Sequence, residues 1–319
     1  MLDILFLIGG LVMTLFAANW LVDGASSIAK RLNISDMVIG LTIVALGTST
    51  PELAINIFSA IEGSTDLAIA NVLGSNIANV LLILGVSSLF SPLIITTNTT
   101  WKEIPFGLLA VIVLGLMAND LWLDPAANGN YISRTDGLVM LCFLAIFIVY
   151  TFEISKFNPE GTQAVSIMPV WKSILLTIAG VTGLFLGGKL LVDGAIGLAQ
   201  MAGISERVIG LTIVAIGTSL PELAASMVAA KKGKTGLAVG NVMGSNILNV
   251  FLILGVTATI HPMPFDAGAS NYDLGLVMLS SVLLFTVTFF YNPRRIGKRE
   301  GVIFISLYII YLATLVFVK

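Results

Sequence analysis

"VALGTSTPEL", residues Val44 to Leu53, lies inside a long apolar stretch, yet it carries a carboxylate, a proline and three hydroxyls. The chain repeats it 170 residues later as "VAIGTSLPEL", Val214 to Leu223. A carboxylate at mid-membrane costs about 2.5–3.5 kcal/mol on insertion scales. A proline there lacks an N–H and crowds the carbonyl four residues back. That carbonyl belongs to Gly47 in the first copy and Gly217 in the second. Each helix is therefore expected to break and to leave backbone carbonyls open, those of Ala45 and Ala215 among them. Open backbone at membrane depth is tolerated only against protein or a wet cavity.

The surrounding sequence is membrane-grade. Of 319 residues, 57% are hydrophobic and 11% charged, and mean hydropathy is +1.00. Soluble domains carry about 25% charged residues. Apolar runs of about 20 residues recur along the chain, which predicts ten spans: roughly 3–29, 36–60, 66–90, 103–119, 135–155, 171–199, 206–230, 236–259, 273–291 and 300–318. The opening "MLDILFLIGG" lacks a positive n-region and reads as the start of the first helix. The net charge of −2 and the lack of a basic tail give no sign of a nucleic-acid partner, and the lone Cys142 forms no intramolecular disulfide or thiolate cluster.

Placing the amino terminus outside puts Lys30, Arg31, Lys102, Lys156, Lys172, Lys231, Lys232, Lys234, Arg294, Arg295, Lys298 and Arg299 in inner loops, and only Arg134, Arg207 and Lys319 outside. The positive-inside rule then predicts that both termini face outward, in the cell membrane. Leu21–Leu89 aligns without a gap on Leu191–Thr259, and about 40 of the 69 pairs are identical. Each copy sits in a half of five spans, 1–160 and 161–319. Five is odd, so the second half is expected to enter the membrane inverted. The charges agree: "IEGS" at 61–64 aligns with "KKGK" at 231–234. The fold class expected is all-α and polytopic, ten transmembrane helices as two inverted five-helix repeats. Broken helices should meet at a midplane ion site, as in secondary transporters.

The next helix of each half carries "NVLGSNIANV" (71–80) or "NVMGSNILNV" (241–250). Ser75 and Asn79 share a helical face, as do Ser245 and Asn249. Gly74 and Gly244 would let backbones approach. With Thr48, Ser49, Glu52, Thr218, Ser219 and Glu222, the donor set is all oxygen, and the two glutamates lack a basic partner apart from Lys189, the one cation inside a span. Calcium takes 6–8 oxygens at about 2.3–2.6 Å, and no His or Cys cluster favours zinc, copper or iron. Asn71, Asn76, Asn241 and Asn246 read as helix-packing amides. Asp23 and Asp193 read as structural ion pairs or caps, Lys189 preceding Asp193 by four. His261 reads as incidental.

The doubled "GTSTPE"/"GSNIANV" and "GTSLPE"/"GSNILNV" resemble the two alpha-repeats of the sodium/calcium exchanger family, of prokaryotic type, within the calcium/cation antiporter superfamily. The resemblance covers essentially the whole chain. It implies four ion sites in a central diamond, with Glu52, Glu222, Thr48 and Thr218 holding Ca2+. Ala45, Ser49, Ser75, Ala215, Ser219 and Ser245 would serve Na+ with the same glutamates, and Asn79 and Asn249 complete the central polar site. It also implies alternating access by sliding of the first and sixth helices, here the spans bearing Gly9–Gly10 and Gly187–Gly188. Relatives often carry aspartate where this chain has Asn249, which leaves the fixed charge at −2 and the sodium stoichiometry open. The function implied is Ca2+ extrusion driven by the Na+ gradient, with Ca2+ and Na+ as substrates, the bilayer as surroundings, and no cofactor or obligate protein partner. An H+- or K+-coupled calcium/cation exchanger is the alternative. An intramembrane metalloenzyme fits less well, because His ligands beside the carboxylates are missing, so the chain does not read as an enzyme. A channel fits less well too, because paired carboxylates suit occlusion.

Overall fold

Long uninterrupted apolar runs form long helices because the backbone has no other way to satisfy its polar groups in lipid. The computed structural model describes residues 2–63, 65–124, 127–155, 167–203, 215–291 and 294–317. In chain order the helices are α1 (Leu2–Leu32), α2 (Asp36–Thr48), α3 (Thr50–Ile61), α4 (Thr65–Phe90), α5 (Thr99–Ala118), α6 (Arg134–Ser155), α7 (Val170–Met201), α8 (Ala215–Thr218), α9 (Leu220–Lys231), α10 (Thr235–Ile260), α11 (Ala267–Thr286, running on as a wide turn to Tyr291) and α12 (Lys298–Phe317). Among the described residues seven helices are long and apolar enough to cross a bilayer, and the pair α2 and α3, bent by 44°, makes an eighth broken span. Of the other two expected spans, one includes α9, with 206–214 outside the described residues, and the last is α12. Arg207, Lys156 and Lys319, used above for orientation, also lie outside them.

Two helices form the centre. The apolar window of α10 is 94% buried and that of α4 is 72% buried, against 28% for α1 and 33% for α7. The central pair carries the two "GSN" motifs, and each helix widens to a π turn just past its motif, at Ala78–Ile83 in α4 and Asn249–Leu254 in α10. Such turns shift the face presented downstream and recur at functional sites.

At about 1.5 Å per residue the 31 residues of α1 span about 46 Å, longer than the ~30 Å hydrocarbon core. α1 and α7 lie against each other over most of their length, at the edge of the bundle, and their glycines make this possible. A Cβ on Gly24 would fall 2.7 Å from the Ser173 carbonyl oxygen, and one on Gly187 2.8 Å from the Thr14 nitrogen. One on Gly180 would meet Leu21 at 2.6 Å. Ser173 Oγ donates to Ser27 Oγ at 2.8 Å, and Arg31 donates to the Met168 carbonyl at 3.0 Å. Gly10 and Gly187 thus bind the two long helices to each other rather than presenting a smooth face to the core. Gly188 alone of the four approaches the core, 4.0 Å from Leu220 Cβ.

Two short antiparallel ladders tie the halves together, which the helical periodicity does not reveal. Leu93–Ile94 pairs with Arg295–Ile296, and Tyr131–Ile132 pairs with Met263–Pro264. Each strand pair is two residues long, too short for an alternation pattern to register.

The glycine seam gives a test. Gly24→Leu and Gly180→Leu should each lower the unfolding temperature in detergent, since overpacking a close contact costs about 1–3 kcal/mol. Unchanged melting of both variants would contradict the packing described.

Candidate functional site

The breaks are alike in both halves and smaller than the sequence suggests. α2 ends at Thr48 and α3 begins at Thr50 with Pro51 in its first turn, where a missing N–H is harmless. Ser49 is the one residue between, with φ −87° and ψ 4°; Ser219, between α8 and α9, has φ −88° and ψ 5°. The expected open carbonyl of Ala45 is in fact engaged: it accepts the Ser49 N–H at 2.9 Å and the Thr48 hydroxyl at 3.3 Å. The helix keeps its bonding right up to the break because the proline sits after it, at a tolerated position. In the second half the Ser219 N–H turns to Ile216 O at 3.1 Å instead, so it does not occupy the Ala215 carbonyl.

Each break delivers its glutamate into the centre. Glu52 and Glu222 are each 1% exposed and near enough to repel each other. Ser49 Oγ, from the first half, lies 3.0 Å from both Glu222 Oε1 and Ser245 Oγ, donating to the carboxylate. The Thr48 hydroxyl reaches Asn241 Oδ1 at 3.1 Å. Asn241 Nδ2 donates to the Glu222 carbonyl at 3.3 Å and to Ser226 Oγ at 3.0 Å. Asn56 Nδ2 donates to the Glu52 carbonyl at 2.8 Å. Lys189 is exposed, so it is not a counter-charge here.

The two central helices are cross-linked by amides. Asn79 Nδ2 donates to Asn246 Oδ1 at 2.9 Å, Asn249 Nδ2 to Asn76 Oδ1 at 3.0 Å, and Asn76 Nδ2 to the Asn246 carbonyl at 3.3 Å. Asn76, Asn241 and Asn246 bond between helices as the packing reading expects, whereas the amide nitrogen of Asn71, read the same way, is buried without a partner. Gly244 makes the close approach expected of it, since a Cβ there would fall 2.6 Å from the Leu41 carbonyl oxygen, whereas Gly74 does not, since a Cβ there would meet nothing within 4 Å.

Once these bonds are made, a set of buried oxygens is left over. Glu52 Oε2, Glu222 Oε2, Ser75 Oγ, Ser219 Oγ, Asn79 Oδ1, Asn249 Oδ1 and Asn56 Oδ1 have no hydrogen-bond partner. An orphaned buried polar group costs about 1–3 kcal/mol, more when charged. Two repeat-related pairs lie within this set, 52 with 222 and 79 with 249. Every predicted side chain with an oxygen, save Thr218, which is half-buried, is at most 3% exposed. Among the described residues no three His, Cys, Asp or Glu side chains converge. The set therefore suits a hard cation that accepts hydroxyl, amide and carboxylate oxygens together.

Such a donor set, doubled on broken helices, matches one known group. The sequence fits the family described as "Sodium/calcium exchanger protein" over residues 2–153 and 172–317. This chain belongs to the sodium/calcium exchanger family. The sodium/calcium exchanger MaX1 of Methanosarcina acetivorans is 32% identical, covering 99% of each chain. The inner membrane protein YrbG of Escherichia coli is 32% identical, covering 97% of this chain and 95% of its own. The solved sodium/calcium exchanger of Methanococcus jannaschii superposes with a TM-score of 0.83 at 34% identity, covering 98% of both chains. Members of the family are transporters, not enzymes, and the chain is a multi-pass membrane protein that carries out cation antiport.

Sequence reasoning in the family frame passed over Asn56 and Ser226, repeat equivalents that brace the glutamate helices. The signal was present: each is a polar residue four positions after its glutamate, on the same helical face. Asp23, read as structural, pairs with Lys232 at 2.7 Å. Lys234 beside it is pushed below the usual lysine range by burial, an effect that Asp36 and Asp23 oppose. His261 is exposed, its Nδ1 2.9 Å from the Pro262 carbonyl, and Cys142 is exposed. Neither touches the site.

The amide cross-link carries a prediction. Asn246→Ala strands the Asn79 amide in the core, so it should lower ion-free stability by about 1–3 kcal/mol, read as a lower unfolding temperature. No change would show that the crossed amides do not hold α4 to α10.

Proposed function

We propose that the protein is a Na+-driven Ca2+ antiporter that extrudes Ca2+ across the cell membrane by alternating access. The observation that supports this reading is the pair of buried, mutually repelling glutamates ringed by unpartnered oxygens. The missing partner is the cargo. Glu52, Glu222, Thr48 and Thr218 hold Ca2+. Ser49, Ser75, Ala215, Ser219 and Ser245 serve Na+ with the same carboxylates, beside Asn79 and Asn249, and the Ala45 carbonyl joins them by giving up its 3.3 Å bond from the Thr48 hydroxyl. Calcium or two sodium ions neutralise the −2 site, and a third sodium leaves +1, so three-for-one exchange is electrogenic. Competition for the same carboxylates couples the two ions, because the empty site carries its charge at high cost in the membrane.

Two five-helix halves, 1–160 and 161–319, inserted in opposite senses with both termini outside, place the bonded Thr48–Asn241–Ser226 group on the cytoplasmic side of the glutamates. The equivalent Thr218 and Asn71 on the other side are half-buried. The α1–α7 pair, glued along its glycine seam, moves as one body across the core.

Three outcomes test the proposal in proteoliposomes. Glu52→Gln and Glu222→Gln should each cut exchange about a hundredfold or more, since removing one charge from a buried ionic site costs about 3–5 kcal/mol, while both variants stay folded. Calcium uptake should require sodium inside and be indifferent to pH and potassium varied separately; uptake that ignores sodium and tracks pH or potassium would support the alternative coupling. An inside-positive potential should speed calcium uptake against sodium, whereas insensitivity to potential would mean electroneutral exchange.

A further inference from the structure

The repeat relates the two ends of the α5–α11 pair, but the ends are not alike. At one end Trp101 packs against Phe285 and Phe289, with ring centroids 5.9 and 5.0 Å away. The space left there is a cavity of about 120 Å³, beside Thr97 and Arg294. The offset of 170 runs on past the aligned repeat, from the ladder strand at Leu93 to that at Met263, and it sets Trp101, Phe285 and Phe289 opposite Asn271, Gly115 and Asn119 at the other end. The contact is preserved, since Asn119 and Asn271 exchange amide hydrogen bonds of 3.1 and 2.8 Å. The bulk is not. The aromatic filling is missing, and the cleft measures about 760 Å³. It opens sideways between Ile112, Leu116 and Trp122, which are 39%, 46% and 79% exposed.

Charge separates the two ends as well. The two stretches that line the wide cleft, 112–130 and 267–278, contain Asp120, Asp124 and Asp273 and no lysine or arginine, and Asp266 directly precedes the second. Asp120 adjoins the lining residues Asn119 and Leu121, and Asp266 adjoins the lining residue Ala267; Asp120 Oδ2 accepts the Tyr131 N–H and Asp266 Oδ1 the Gly268 N–H, each at 2.9 Å, bonds that leave both carboxylates their charge. The nearest basic residue in sequence, Arg134, is drawn to the Ile260 carbonyl at 3.4 Å. The narrow end carries Arg294, Arg295, Lys298 and Arg299 within six positions.

We propose that the wide end of the α5–α11 pair binds one phospholipid whose headgroup ends in an ammonium. An apolar cleft open to hydrocarbon does not stay empty, because its walls would lose dispersion contacts on one side. An acyl chain fills it along Gly115 and Gly275. The chain brings no hydrophobic gain, being in lipid already, so selectivity comes from the acidic rim at Asp120 and Asp266. That rim attracts an ammonium and repels a headgroup of net negative charge.

Native mass spectrometry of the purified full chain, offered phosphatidylethanolamine and phosphatidylglycerol in equal amounts, tests this. The protein should retain one phosphatidylethanolamine in about tenfold preference, the worth of one charge-assisted hydrogen bond. Gly275→Phe fills the cleft at a position where an added Cβ meets nothing within 4 Å, and should abolish the retention. Gly115→Phe restores the counterpart's aromatic against the mobile end of Met278, 2.9 Å from the new Cβ, and should do the same, so failure of one variant to fold leaves the other to decide. Equal retention of the two lipids, or undiminished retention in a folded variant, overturns the proposal. So does conversion of a dimer to a monomer by the variants with lipid unaffected, which would make the cleft a self-association face.

Discussion

Two carboxylates are buried close enough to feel each other's charge in the middle of an apolar bundle, and among the described residues no basic side chain pairs with either. Everything else in the centre of the molecule serves that constraint. The "GTSxPE" break turns each glutamate inward within one residue, and the proline after it restarts the helix at once. The crossed asparagines of α4 and α10 spend their amide N–H groups on each other, which leaves Asn79 Oδ1 and Asn249 Oδ1 without partners. Most amide donors are consumed in holding the helices, Asn71 Nδ2 excepted, and carboxylate, amide and hydroxyl oxygens are left over. A protein built only for stability would have matched them.

The contrast with Glu103 makes the point. That side chain is also buried, at 2% exposure, but it accepts the Tyr150 hydroxyl at 2.8 Å and stands alone. Its second oxygen, Oε2, is unpartnered as well, so what it lacks is a second carboxylate beside it. Glu52 and Glu222 repel each other and each keeps an unpartnered oxygen, an arrangement that becomes favourable when a cation enters. The periphery is organised differently: α1 and α7 have their closest contacts with one another, through glycine, and their hold on the core is lighter. A rigid charged centre and a separately bonded outer pair are what a moving transporter needs.

Much of this was legible in the sequence because it consists of anomalies. A glutamate and a proline in an apolar run are visible at once, and their recurrence at an offset of 170 locates both halves of the site. Helix spans follow from hydropathy to within a few residues. What was hidden depends on contacts between distant segments. Nothing local announces that Thr48 meets Asn241, or that Asn76 and Asn246 exchange partners with Asn249 and Asn79. The open carbonyl expected at Ala45 failed for a local reason: proline just after a break is harmless to the turn before it. The paired two-residue strands escaped because so short a ladder has no period. The glycines of α1 and α7 were noticed, but which face they occupy is fixed only by the partner helix. The cleft beside Gly115 is visible only when the two ends are compared, since an absent aromatic leaves no mark in one sequence window.

The central claim is that one cation is shared by both glutamates. Long-wavelength anomalous diffraction from crystals soaked in Ca2+ measures this directly. A single calcium peak at about 2.3–2.6 Å from carboxylate oxygens of both Glu52 and Glu222 is the result the account predicts. A peak bound to one glutamate with the other turned away, or calcium found only elsewhere in the protein, would contradict it.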